Sequence, residues 1–497
     1  MDIILLVIYI FSLSVLFLFA SHYLFIIFFY FKTKDKFSLE NNQVSLNNEE
    51  YPFVTVQLPI YNEKYVVERI LDSVINFEYP KDRFEIQVLD DSTDETKLIV
   101  EGLVRHYKSI GYNIKHIRRK ERVGFKAGAL KNGLAMANGE YIAIFDADFK
   151  PNKSFLKTTL PYFADEKIGM VQTRWEHLNR NESWITKAQA IALDAHFTLE
   201  QLVRNRAGFF MNFNGTAGIW RKECIIDAGN WQFDTLTEDF DLSYRAQIKG
   251  WKFRYLNDYV SPAELPSNIN ALKIQQFRWG KGAVETCIKL MPTILKSDFG
   301  LLIKLESIFH LTSYLVFPFM LLVALLNIPI LLIKINANFE YVFNYLSVFL
   351  IASISTTIFY GLSQKILHED WKEKMMEFPY FLLSSMGLAV NNTKAVFEAI
   401  IGKRTEFIRT PKQGNQSKWK NDYLLKYNRK NSQIKNIIMN YMLHLELVLF
   451  LYFVLALIFS IRYQLFMDLF FQLMLLASYG LIWLYSIKPN FKIWKTN

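Results

Sequence analysis

Residues 3–31 (IILLVIYIFSLSVLFLFASHYLFIIFFYF) contain no Asp, Glu, Lys or Arg. Wound as an α-helix they reach roughly 44 Å, more than the hydrocarbon core of a bilayer, about 30 Å thick, requires. A cleaved signal peptide would carry a basic region in front of an apolar stretch of only about 7–15 residues. This run has no such basic region and is far longer, so it predicts a membrane anchor. Later apolar blocks at 308–333, 343–362, 437–461 and 464–487 also have spanning length. The run at 378–390 is too short to cross. Reading 378–400 as an interfacial or re-entrant helix keeps segment 402–436, with ten Lys/Arg against Glu406 and Asp422, on the cytoplasmic side. Five spans follow, with the N-terminus outside and Lys488, Lys492 and Lys495 inside.

Composition agrees with a membrane partner. The chain is 51% hydrophobic and carries a net charge of +10. A basic balance can mean nucleic acid, but here basic residues such as Lys32, Lys34 and Lys36 flank an apolar block. That is the pattern of cytoplasmic membrane flanks. No nucleic-acid-binding motif accompanies it, so the expected partner is the lipid bilayer. Cys224 and Cys287 have neither pairing nor metal spacing, and both fall in the part assigned to the cytoplasm, so no disulfide is expected.

After a polar linker at 37–50, short β-rich runs alternate with helical stretches. The runs are FVTVQL (53–58), FEIQVLD (84–90), NIKHIR (113–118), YIAIFD (141–146) and MVQTRW (170–175), with helices expected at 64–77, 94–109, 126–137 and 152–163. Ser92 and Glu95 stand in capping-box spacing for the second helix. The alternation predicts an α/β domain with a largely parallel sheet and helices on both faces. Ligands of such sheets bind beyond the carboxyl ends of the strands. Five regions are expected: a span and flank at 1–36, the α/β domain at 51–300, membrane and interfacial helices at 301–401, the basic segment at 402–436, and two spans with a tail at 437–497.

Acidic residues gather at the strand ends. Asp90 and Asp91 close FEIQVLD, and Asp146 and Asp148 close YIAIFD. Alternate residues of a strand share a face, and paired carboxylates there suit Mg²⁺ or Mn²⁺ together with substrate phosphates. Taken alone they read more readily as turn and cap residues than as a metal site. Thr237, Glu238 and Asp239 open a predicted helix, where simple capping by acidic residues is the plain alternative. The stretch QQFRWGKG (275–282) sets Arg278 beside Trp279 shortly before the next apolar block. Trp279 there reads either as an interfacial anchor or as a flat face for a sugar ring.

The ordered set Asp90–Asp91, Asp146-x-Asp148, Thr237-Glu238-Asp239 and Gln275-x-x-Arg278-Trp279, set between membrane segments, resembles the processive family 2 glycosyltransferases of the cellulose and hyaluronan synthase superfamily. VQTRWEHLN (171–179), FNGTAGIWR (213–221), GWKFRYL (250–256) and EFIRTPKQG (406–414) look like glucomannan synthases and xyloglucan-backbone glucan synthases of plants and their bacterial relatives. The resemblance implies a GT-A (Rossmann-like) cytoplasmic domain joined to an α-helical transmembrane domain, in a multi-pass protein of an inner, plasma or Golgi-type membrane.

It also implies roles. Pro59, Tyr61, Asn62 and Glu63, with Asp90 or Asp91, should hold the base and ribose of a nucleotide sugar, with Lys126 near its diphosphate. Asp146 and Asp148 should hold Mg²⁺ or Mn²⁺ against that diphosphate. Asp239 should be the general base, supported by Glu238 and Thr237. Arg278 should face the diphosphate, and Trp279, Gln275, Asn214, Gly215 and Thr216 the acceptor. Arg409 and Lys412 should belong to a loop that closes over the nucleotide.

The implied reaction is inverting transfer of a hexose from UDP-glucose or GDP-mannose to a growing β-linked (by resemblance, β-1,4) polysaccharide, which is then moved across the membrane. A ceramide glucosyltransferase-like enzyme that adds one sugar to a lipid is the first alternative. A nucleotide-binding transporter or scaffold is the second, and it would not need Asp239, Arg278 and the metal carboxylates together. With ten residues after 487, control of this chain by a C-terminal cyclic-dinucleotide domain is not expected.

Overall fold

A computed structural model describes residues 1–34, 51–336, 350–405, 407–410, 412 and 432–487. Strand β1 (Val54–Ile60, VTVQLPI) is buried along nearly all its length, as expected for a strand covered on both faces. It pairs in parallel with β2 (Phe84–Asp90) on one side and with β4 (Tyr141–Ile144) on the other. β3 (Ile114–Ile117) extends the β2 edge, also in parallel. The other half of the sheet is mixed. β6 (Gly218–Arg221) runs antiparallel to both β4 and β5 (Ile168–His177), and β7 (Lys252–Ala263) runs parallel to β5. The order is β3-β2-β1-β4-β6-β5-β7.

Before the sheet comes helix α1 (Asp2–Thr33). Between strands lie α2 (Val67–Ile75), α3 (Thr96–Ser109), α4 (Phe125–Ala135), α5 (Phe155–Thr159), α6 (Trp184–Ala195), α7 (Leu202–Ala207), α8 (Lys222–Asp227) and α9 (Glu238–Ile248), and α10 (Ile269–Lys296) follows the last strand. Two cores sandwich the sheet. On one face Val56 and Leu58 meet Ile70 and Val74 of α2 and Val100 of α3. On the other, Ile142 and Ile144 meet Leu130 of α4 and Leu242 of α9. Each such apolar side chain stabilises the fold by about 1.5–3 kcal/mol when fully buried.

Several expectations shift. The sheet is more mixed than the strand–helix alternation predicts, because β6 and β7 lie beyond the five expected strands. β6 has four residues and follows a glycine turn, too short for a periodic signal. Ser92 does not cap the second helix. That helix begins at Thr96 without a side-chain cap, because Ser92 has partners at the strand end instead: its N–H donates to Asp90 Oδ1 at 2.8 Å and its Oγ accepts from Asn62 N–H at 2.9 Å. The expected helix at 152–163 is α-helical only over Phe155–Thr159 and tightens into a 3₁₀ turn at Leu160–Ala164, where Pro161 has no N–H to give.

Among the described residues, four helices are long and apolar enough to cross a membrane: Asp2–Thr33, Leu301–Leu325, Tyr441–Arg462 and Asp468–Ile487. The expected span at 343–362 falls partly outside the described residues; its remainder lies in a helix at Leu350–Leu367. The segment 378–400 forms two short helices, Phe378–Gly387 and Ala389–Ile400, the second packed along α10. Linker 37–50, Pro411, residues 413–431 and the tail lysines lie outside the described residues.

Candidate active site

The sheet turns in opposite directions on leaving β1, toward β2 on one side and β4 on the other, and ligands bind at such a switch point. A cleft opens there. It is lined by the ends of β1 and β4, the start of α9, one face of α10 and Phe407, Arg409, Thr410 and Lys412.

Asp146 and Asp148 follow β4 and both face the cleft. Asp146 is placed by its backbone, whose N–H donates to Thr216 Oγ1 at 2.8 Å. Lys126 Nζ stands 2.6 Å from Asp146 Oδ1 and donates to Gly215 O at 2.9 Å. Lys412 Nζ stands 2.6 Å from Asp148 Oδ2 and donates to Glu264 O at 2.9 Å. Burial pushes the Lys126 ammonium down, but Asp146, Glu238 and Asp239 outweigh it and leave its pKa raised. It stays a cation.

Asp239 sits in the first turn of α9. Burial and the adjacent Glu238 push its carboxyl up to about 7, against the pull of Lys126. Gly215 is what lets these groups meet. Its φ is +81°, a conformation L side chains rarely adopt, and a Cβ there would lie 2.9 Å from Asp239 Oδ2 and 3.3 Å from Lys126 Nζ.

The spacing of QQFRWGKG becomes a helix face. Gln275, Arg278, Trp279 and Gly282 follow i, i+3, i+4, i+7 on α10, so they form one stripe. Asn268 caps this helix by accepting from Ala271 N–H at 2.9 Å. The first three residues line the cleft, and Gly282 lets Thr237 pack close, since a Cβ there would be 2.5 Å from Thr237 Oγ1. Arg278 has its guanidinium 4.6 Å from the Phe407 ring centroid. Burial lowers its pKa, opposed by Glu238, Asp146, Asp239 and Asp148. One arginine thus faces four carboxylates.

At the β1 end, Pro59, Tyr61 and Glu63 line the cleft. Arg409 Nε donates to Glu63 Oε1 at 2.6 Å, and its NH1 donates to Asn62 O. Asp91 lines the cleft and accepts from Arg119 Nε at 3.0 Å. Asp90 and Asn62 do not line it. Asp90 is fully buried, accepting from Ser92 N–H and bonding His116 Nε2 at 2.8 Å. Asn62 Oδ1 accepts from Thr93 N–H at 2.9 Å, tying together the loops after β1 and β2. Thr216 is likewise behind the wall, holding Asp146, whereas Asn214 and Gly215 are on it.

Sequence reasoning missed Arg122, His177, Glu264 and Phe407, which also line the cleft. Arg122 lies 3.4 Å over the Tyr61 ring, and the basic run RRKERVGFK before Lys126 was its only local signal. Phe407 stacks on Phe125 at 5.7 Å.

No cluster of three or more His, Cys, Asp or Glu side chains suited to a metal occurs among the described residues. Two carboxylates, each already drawing an ammonium, are an oxygen donor set of the kind that holds Mg²⁺ or Mn²⁺ when a diphosphate completes the shell.

A family model described as glycosyltransferase like family 2 matches residues 52–282. The probable glucomannan 4-beta-mannosyltransferase 3 of Oryza sativa subsp. japonica is 36% identical over 385 residues, covering 74% of this chain and 67% of its own. Glucomannan 4-beta-mannosyltransferase 2 of Arabidopsis thaliana is 42% identical over 267 residues, covering 53% of this chain and 50% of its own. The chain thus spans about half the length of that curated relative. Among solved structures, the mannosyltransferase PcManGT from Pyrobaculum calidifontis, in complex with GDP-Man and Mn²⁺, superposes with TM-score 0.55 at 18% identity, covering 79% of this chain and 100% of that one. At that identity the likeness is one of fold. The DxD carboxylates, the acidic start of α9 and the Gln-x-x-Arg-Trp face therefore sit in a chain that belongs to the family 2 glycosyltransferases, within the cellulose synthase-like group that includes the glucomannan 4-beta-mannosyltransferases.

Proposed function

We propose that this protein is a membrane-integral inverting hexosyltransferase that passes mannose from GDP-mannose to the end of a β-1,4-linked polysaccharide. The observation that carries the reading is Asp239, a carboxyl raised to about 7 in a cleft that also holds Lys126, Arg278, Asp146 and Asp148. The names of the plant relatives favour mannose and a 4-linkage, and the four apolar helices favour a membrane setting.

In such a transfer the acceptor hydroxyl attacks the anomeric carbon while the nucleoside diphosphate leaves from the opposite face. The hydroxyl is a weak nucleophile, so Asp239 Oδ takes its proton; a positioned base contributes about 10²–10⁴-fold. Lys126, Arg278 and Lys412 offer fixed positive charge to the leaving diphosphate. Arg278 presents a planar fork that a lysine could not reproduce. Asp146 and Asp148 would hold a divalent cation, which neutralises diphosphate charge when bound. Trp279 gives the terminal acceptor sugar an apolar face, and residues 407–412 close the cleft against water, limiting hydrolysis of the donor.

The test uses membranes containing the full chain with Mn²⁺ or Mg²⁺, radiolabelled GDP-mannose or UDP-glucose, and Asp239→Asn as the blank. Label from GDP-mannose in high-molecular-weight polymer, lost in the variant and on chelation, is the expected result. Polymer labelled only from UDP-glucose would overturn the donor. Label confined to an organic-soluble lipid would overturn the polymer.

A further inference from the structure

Between α6 and α7 the helix does not continue as an α-helix. Residues His196–Gln201 form a π-helical turn, a rare geometry with i→i+5 hydrogen bonds that is frequent at functional sites. At 3.6 residues per turn, positions five apart point about 140° away from each other; the wider π turn brings them closer to one face. Here positions 196 and 201 converge on one side chain, Asn214. His196 Nε2 lies 3.2 Å from Asn214 Nδ2, and Gln201 Nε2 donates to Asn214 Oδ1 at 2.7 Å.

The proton arrangement follows from the neighbours. His196 Nδ1 is 2.9 Å from Glu200 Oε2. Burial pushes the Glu200 carboxyl up, but Arg204 and His196 outweigh it and hold it down at about 2. An ionised carboxylate only accepts, so His196 carries its proton on Nδ1, and Nε2 accepts from the Asn214 amide. Arg204 Nε is itself fixed by the buried Glu306 at 2.9 Å. Asn214 is therefore gripped at both ends of its amide. Among the described residues one N–H and one lone pair of its oxygen remain uncommitted, and Asn214 lines the cleft beside Gly215, which abuts Asp239.

We infer that the π turn is an acceptor-positioning device, in which His196 and Gln201 hold the Asn214 amide so that its free donor and acceptor engage hydroxyls of the terminal sugar of the acceptor chain beside Asp239. Neither His196 nor Gln201 need touch the sugar; they are positioning residues that act through Asn214. Lys126 and Asp146, on the donor side, are held by Gly215 O and Thr216 Oγ1 and not by the Asn214 amide, whose partners are Gln201 and His196, so the donor KM is the control for the clamp. The inference rests on the glycosyl-transfer reading of the site.

The test uses the full chain in membranes, GDP-mannose, Mn²⁺ and β-1,4-mannohexaose as the acceptor probe. Three variants are compared: His196→Ala, Asn214→Ala and the double variant. Each is read for acceptor KM, donor KM and the ratio of GDP released to mannose transferred. The expected result is an acceptor KM raised about tenfold in His196→Ala, an unchanged donor KM, more GDP released per transfer, and a double variant no worse than Asn214→Ala, since residues acting through one contact are not additive. His196→Gln, whose Oε1 can accept in place of Nε2, should recover most of the loss, which also separates the clamp from misfolding. Effects that multiply in the double variant, a donor KM that moves with the acceptor KM, or a Gln variant no better than Ala would each overturn the clamp. If the wild type turns over UDP-glucose instead, with cellohexaose as its acceptor, the mannose reading fails, and the same comparison on that pair still decides the clamp.

Discussion

At the scale of single residues the site is an arrangement of charge that leaves two cleft carboxyls, Asp239 and Glu63, poised near neutrality, Glu63 pushed up by burial against the pull of Arg409. Asp239 is pushed up to about 7 by burial and Glu238, so it is protonated below that pH, and the base form needed to accept a proton is lost. The kcat/KM of the free enzyme should therefore fall about tenfold per pH unit below about 7. Asp239→Asn should lose about 10²–10⁴-fold in rate and show no acidic limb. A limb that persists in that variant would assign the titration to Glu63, the other cleft carboxyl raised to about 7.

At the scale of elements, Phe407, Arg409 and Lys412 meet the catalytic domain through side-chain contacts. Arg409 pairs with Glu63, Lys412 with Asp148, and Phe407 lies between Phe125 and Arg278. Arg409→Ala should abolish most transfer while membrane insertion is unchanged, and donor hydrolysis per transfer should rise as water gains access. Polymer synthesis at the wild-type rate would rule out closure by these residues. α10 works differently. Its stripe Gln275, Arg278, Trp279, Gly282 lies on one face of one helix, whose spacing sets the distance between Arg278 and Trp279, the proposed diphosphate cation and acceptor platform.

At the scale of the whole molecule, buried ion networks join the catalytic domain to the apolar helices. Asp194 of α6 bonds Arg180 at 2.7 Å, His177 Nε2 at 3.1 Å and Gln364 Nε2 at 3.1 Å, the last from the helix Leu350–Leu367. Burial opposes its charge, yet His177 and His368 hold its carboxyl well below the usual range. A depressed carboxyl contributes its stability above the unfolded value of about 3.9 and loses it only as pH falls through the lower folded value, so at neutral pH the contribution is complete. Asp194→Ala should destabilise the solubilised protein by about 1–3 kcal/mol, because His177, Gln364 and Arg180 each lose a partner while Arg180 keeps Glu377 at 3.2 Å. An unchanged denaturation midpoint would show that the network does not bear on stability.

The sequence by itself determined what depends on neighbours along the chain. A charge-free run long enough to span, five β-rich runs, the DxD after YIAIFD, the acidic start of α9 and the i, i+3, i+4 spacing of Gln275, Arg278 and Trp279 are all local patterns, because helix and strand periods write themselves into consecutive residues. The tertiary structure decided the rest. β6 carries only four residues and takes its place by pairing with β4 and β5, and Ser92 left its expected cap for partners at two strand ends. That Asp90 is buried while Asp91 faces the cleft, that only a glycine at 215 leaves room for both Asp239 and Lys126, and that His196 and Gln201 meet on Asn214 could not be read from spacing. Each is a contact between segments distant in sequence or, for the π turn, a local geometry at odds with the 3.6-residue period, and such contacts are fixed by packing and by the need to satisfy buried polar groups.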